Sequence, residues 1–168
     1  MEQNLIIDKT NRLIGRYKTR SPFELADVLG VNIVYSEDFT ELKGMYAVLS
    51  GCRFIIINAH LDERTKRLVA AHELGHDRLH RELAKAKGLR EYSLYNMECR
   101  PEYEANVFAA ELLIANDALL ELIYDGADIF TAAKLLGTDV NLVALKVSNL
   151  RKKGYNLKIP EYNSSFLK

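Results

Sequence analysis

The chain has 168 residues, 48% of them hydrophobic and 27% charged, and its 23 Lys+Arg balance 23 Asp+Glu to a formal net charge of zero. This composition excludes a disordered or low-complexity chain, and the missing basic excess argues against a protein built mainly to coat nucleic acid. The longest uninterrupted apolar run, Met45–Leu49, falls far short of the roughly 20 residues needed to span a membrane.

The elements follow in chain order. The spacing predicts a helix over residues 5–17. A second, short helix is announced by Ser21-Pro22-Phe23-Glu24, which reads as a capping box with proline at the first helical position and Gly30 as the stop. Three β-rich stretches come next, at 31–36, 43–49 and 53–58, and they read as an antiparallel meander. The last contains the continuously apolar Phe54-Ile55-Ile56-Ile57, which suits an interior strand.

After Asp62 the pattern turns helical, with a long helix at 62–82 and another at 100–115 that tolerates Pro101 only in its first turn. Shorter helices are expected near 117–125, 128–136 and 139–152, with Asn116 and Asp139 as N-caps and Gly126, Gly137 and Gly154 as stops. Strands first and helices afterwards predict an α+β protein: a small antiparallel sheet of about three strands packed on a long helix, then a mostly helical C-terminal part. The expected division is a core over 1–116 and a helical region over 117–168 that completes a single fold.

Charge is balanced overall but unevenly spread. From Glu91 to Asp128 nine acids face one base, Arg100, a local excess of −8; from Arg151 to Lys168 five bases face one acid. The N-terminus, with an acid at position 2 and three consecutive apolar residues, does not read as a secretory signal, and none is expected. Two cysteines, Cys52 and Cys99, make no disulfide framework, and the expected location is the cytoplasm.

Chemistry concentrates in His72-Glu73-Leu74-Gly75-His76. Residues i and i+4 share a helix face about 6 Å apart along the axis, so both imidazoles reach one tetrahedral ion. Glu73 then projects beside the metal as a base for a water molecule, which is the His-Glu-x-x-His pattern of zinc peptidases. The apolar Leu68-Val69-Ala70-Ala71 just before it places the histidines in a buried setting that needs a polar partner.

A third ligand must come from elsewhere, because His80 lies about 12 Å from His72 along the helix. At about 100° per residue, Glu102 shares its side of the next helix with Ala109 and Leu113, whereas Glu104 and Glu111 fall opposite. Glu102 is therefore the expected third ligand, with Glu104 and Glu98 behind it, and Asn106 one turn on can hold a ligand in place.

His72–His76 together with Glu102-x-x-Ala105-Asn106-x-Phe108-Ala109-Ala110-Glu111-Leu112-Leu113 resembles the ImmA/IrrE family of metallopeptidases. The resemblance implies a cytoplasmic, gluzincin-like zinc protease in which His72, His76 and Glu102 bind Zn²⁺ and Glu73 is the catalytic base. Its implied substrate is a DNA-binding helix-turn-helix repressor of a prophage or mobile element, cleaved to switch on gene expression. His80 stands where such sequences often carry histidine, and its expected role is to support a ligand or touch substrate. One departure is that Leu112-Leu113 is followed by Ile114-Ala115-Asn116 rather than the Met-Pro common in the family.

Other readings compete. Ala133-Lys134-Leu135-Leu136-Gly137 followed by Val143 loosely fits a helix-turn-helix, which would make the chain a zinc-containing DNA-binding regulator; the plainer reading is a helical hairpin closing the core. A non-catalytic partner protein with a structural zinc would need a fourth ligand, for which Cys99 is the candidate. Tyr92, Tyr95, His60 and His80 are unranked donors for a developing oxyanion. The acidic 91–128 stretch reads either as solvated surface or as a rim that favours a basic substrate.

Overall fold

The computed structural model describes residues 2–82 and 100–157. Helix α1 (Gln3–Tyr17) buries Ile6, Ile7 and Thr10. Helix α2 (Pro22–Val28) begins as predicted, with the Ser21 side chain accepting from the Glu24 N–H. The box is only half made, because the Ser21 N–H donates to Thr19 Oγ1 at 3.0 Å and the Thr19 hydroxyl in turn reaches the Glu24 carboxylate.

Three strands follow: β1 (Asn32–Ser36), β2 (Gly44–Leu49) and β3 (Cys52–Asn58). They form one sheet in the order β1-β3-β2. The expected meander is corrected here, since β2 pairs antiparallel with β3 but β1 pairs parallel to it. Ser50 and Gly51, both at positive φ, make the tight β2–β3 hairpin. The 37–43 connection is too long for a hairpin, so β1 and β2 stand apart and the apolar β3 slots between them. Asn58 anchors that connection by donating to the carbonyls of Phe39 and Leu42 at 3.1 and 3.0 Å.

Helix α3 (Glu63–Leu79) starts where Asp62 accepts from the Thr65 N–H, and it packs on β2 and β3. Ten consecutive residues, Leu68 to Asp77, are buried. Helix α4 (Arg100–Leu113) lies against α3, α1 and the last helix, so it is enclosed rather than one-sided. Helices α5 (Asn116–Tyr124), α6 (Ile129–Leu135) and α7 (Val140–Lys152) complete the described chain. Asp128 and Asp139 cap α6 and α7 with their side chains. Asn116 is instead the first residue of α5, whose N-cap is Ala115 with no side-chain bond. The architecture is α+β, as expected. No helix among the described residues is long and apolar enough to cross a membrane.

Candidate metal centre

Helices α3 and α4 approach closely because Gly75 leaves room. A Cβ at Gly75 would meet Ala105 Cα at 3.0 Å, so the two backbones are in contact. The contact lies between His72 and His76 on one helix and three residues after Glu102 on the other. It brings two buried histidines face to face with a buried carboxylate.

His72 Nε2 lies 3.0 Å from Glu102 Oε2 and 3.1 Å from His76 Nε2, and His76 Nε2 lies 3.3 Å from Glu102 Oε1. His72 Nδ1 donates to Asn106 Oδ1 at 2.9 Å, which places a proton on Nδ1 and turns Nε2 toward Glu102 and His76. Two imidazole nitrogens and a carboxylate thus converge on one buried point, a donor set suited to a divalent cation. The spacing fits: ligands at about 2.0–2.1 Å around a tetrahedral ion stand roughly 3.3 Å apart. Among the described residues, these three are the one His/Cys/Asp/Glu group able to hold a metal ion.

Burial alone would raise Glu102, but its hydrogen bonds to His72 and His76 and their charges hold it down at about 2. Burial likewise works against protonated His72, yet Glu102 and Glu73 outweigh it and raise its pKa. His76 goes down, chiefly by burial. Glu73 is pushed up to about 7, first by burial and then by the Glu102 charge, against the opposing pull of His72. The Tyr46 backbone N–H donates to the Glu73 carboxylate, and Glu73 Oε2 is buried without a hydrogen-bond partner.

Tyr46 also reveals a residue that the motif did not point to. Its hydroxyl donates to Asp77 Oδ1 at 2.9 Å, and Arg53 Nη1 reaches both Asp77 oxygens at 3.1 and 3.2 Å. Asp77 therefore ties β2 and β3 to α3 directly behind His76. The available signal was an acid inside a conspicuously buried run, next to Arg78 and Arg81.

The chain can now be placed among known proteins. The model of the IrrE N-terminal-like domain family, Peptidase_M78, matches residues 26–148. The chain belongs to this family. It is also 36% identical over 110 residues, 66% of this chain and 68% of the relative, to "Uncharacterized immunity region protein 2" of Bacillus phage phi105.

Within this Peptidase_M78 fold, His80 stands beside the three-residue cluster rather than in it. It caps α3, its ring sits 5.6 Å from that of His76, and its Nε2 lies 3.5 Å from Glu104 Oε2, while the Pro101 carbonyl accepts a ring hydrogen bond. It joins the end of α3 to the first turn of α4. His60 is turned to the Glu37 carbonyl on the loop after β3. Glu98, Cys99, Tyr92 and Tyr95 lie outside the described residues.

The helical wheel is corrected in one respect. Glu102 does turn inward, but so do Glu104 and Glu111, both buried. Arg100 donates to Glu104 at 2.9 Å; Lys146 and Asn11 donate to Glu111, at 2.5 and 2.9 Å. Three of the acids from the −8 stretch are therefore internal.

Helix α7, the recognition helix of the helix-turn-helix reading, buries Leu142, Val143, Leu145, Lys146, Val147, Asn149 and Leu150. Its less buried side is the narrow strip of Asn141, Ala144, Ser148 and Arg151, and the family match runs through α5 and α6 into α7, as for a hairpin that closes the core.

Proposed function

We propose that this protein is a zinc metalloendopeptidase in which His72, His76 and Glu102 hold the ion and Glu73 is the proton carrier. The observation that carries the reading is the meeting of His72 Nε2, His76 Nε2 and Glu102 at 3.0–3.3 Å beside a buried Glu73. Two nitrogens and a carboxylate favour zinc over the harder divalent cations. When bound, the ion supplies Lewis acidity that polarises a peptide carbonyl and acidifies a water.

The side chains do the rest. Glu73, held by the Tyr46 N–H and with a pKa near neutrality, accepts the water proton at Oε2 as the water oxygen adds to the carbonyl carbon. It then returns that proton to the amine nitrogen as the C–N bond breaks. Asn106 fixes the His72 ring so that Nε2 stays turned to the site.

The substrate we propose is a basic helix-turn-helix repressor of a prophage or mobile element, cleaved in the cytoplasm to release gene expression. The phage immunity-region relative supports that setting, and the exposed free thiol of Cys52 suits a reducing compartment. The test is to incubate the protein and zinc with a purified helix-turn-helix repressor from the same genome. Glu73→Gln should keep its metal and lose cleavage. Full proteolysis by that variant, or a wild-type protein that binds no metal, overturns the assignment.

A further inference from the structure

Among the described residues, strand β1 is an edge of the sheet with no strand on its outer side. The Ser36 carbonyl accepts from the Ala59 N–H on the β3 side at 2.9 Å. Main-chain direction alternates along a strand, so Asn32, Val34 and Ser36 face β3, while Ile33 and Tyr35 turn their N–H and C=O groups to the edge. No main-chain bond from another described segment reaches those groups. Beside that edge runs a groove of about 490 Å³ between α2 and β1, lined by Phe23, Asp27, Gly30, Val31, Ile33 and Tyr35. Tyr35 is 51% exposed there.

An edge strand with a parallel groove and a helix as its far wall is the arrangement that accepts an added strand, with main-chain bonds to the edge and alternate side chains in the groove. The charge around it selects the occupant. Residues 21–42, which comprise α2, β1 and the ends flanking them, carry Glu24, Asp27, Glu37, Asp38 and Glu41 and no Lys, Arg or His. Arg20 and Lys43 bound this stretch, and the cations near it are engaged: Arg20 with the Glu111 and Leu112 carbonyls, Arg53 with Asp77 and the Leu29 carbonyl, and Lys66 with Glu63 at 2.8 Å while lying over the Tyr35 ring. A second copy of this chain would bring the same acids face to face.

We propose that the α2–β1 groove docks an extended, positively charged segment of a protein partner by strand addition to β1. Its use in selecting substrate rests on the peptidase reading; the binding itself does not.

The probe is a fluorescein-labelled decapeptide of alternating lysine and valine, titrated by anisotropy against full-length Glu73→Gln protein so that turnover plays no part. Saturable binding is expected, and a glutamate–valine decapeptide should not bind. Tyr35→Pro removes an edge N–H at a position where proline is tolerated, and should weaken binding about ten-fold. Asp27→Lys, on an exposed position, should weaken it about five-fold at low salt, with Glu121→Lys on α5 as an unaffected control. Equal binding of the acidic peptide, or wild-type affinity in both groove variants, overturns the proposal. So does a protein dimer that Tyr35→Pro dissociates, since a second copy would then occupy the edge. Loss of repressor cleavage in Glu73→Gln with peptide binding intact separates this site from the metal centre.

Discussion

Gly75 and Ala105 touch across the α3–α4 interface, and a Cβ on Gly75 would stand 3.0 Å from Ala105 Cα and 3.1 Å from its carbonyl oxygen. Those atoms belong to backbone, which cannot swing away as a long side chain would. Gly75→Ala should therefore separate the helices and draw Glu102 from the histidines. The overpacking should cost about 1–3 kcal/mol, of which helix propensity returns roughly 1. Zinc affinity should fall at least about ten-fold, by competition with a chromophoric chelator. Unchanged affinity would show that the close approach does not set the metal site.

Asn106 acts through a proton. Its Oδ1 accepts from His72 Nδ1 at 2.9 Å, holding the ring so that Nε2 is turned to the proposed ion. Asn106→Ala should lower zinc affinity about 10–100-fold, as loss of an orienting partner does in other zinc sites. Asn106→Asp should restore much of it, because a carboxylate oxygen accepts the same hydrogen bond. Isothermal titration of metal-free protein with zinc measures both. Equal affinity of the alanine variant and the wild type would remove Asn106 from the site.

The three residues that meet at the candidate site were legible in the sequence because their signal is local: His72 and His76 are one helical turn apart, and Glu102 shares its side of α4 with Ala109 and Leu113. Helix starts were legible at the caps Ser21 and Asp139, whereas Asn116 proved to be the first helical residue after an uncapped Ala115. What escaped was the outcome of long-range contacts. A wheel describes one neighbour, and α4 has three, so the acids on its far side are buried as well. Their partners lie far along the chain: Lys146 is 35 positions after Glu111, and Asn11 is 100 before it. The parallel β1–β3 pairing escaped for the same reason, since nothing local in β1 says that a later strand will be inserted beside it.

Tyr46 should leave a signature in the alkaline limb of the stability curve. Burial first, then the Asp77 charge and hydrogen bond, raise its pKa well above 10. The folded state therefore holds a proton that the unfolded chain gives up near pH 10. This stabilisation is fully present below pH 10 and is lost as pH rises beyond it. Tyr46→Phe should abolish that part of the decline and lower stability at neutral pH by about 1.5–3 kcal/mol through the bond lost to Asp77. Other groups that titrate there are common to both proteins, so the difference between their urea midpoints from pH 8 to 11 isolates the tyrosine. A constant difference across that range would mean that the hydroxyl is not held by Asp77.

Lys146 and Glu111 decide whether the C-terminal helices are a separate unit. Both are buried, and their ion pair joins α7 to α4, which carries Glu102 at its other end. Removing one partner strands a buried charge: Lys146→Met alone should cost about 3–5 kcal/mol, whereas Lys146→Met with Glu111→Leu should recover most of it. We infer that residues 1–116 and 117–168 fold together, so both proteins should show one denaturant transition, coincident by circular dichroism and by tyrosine fluorescence. The single variant should also bind zinc less tightly, because a disturbed α4 carries Glu102 with it. A separate transition for the C-terminal helices, with zinc affinity untouched by Lys146→Met, would make them an appended module.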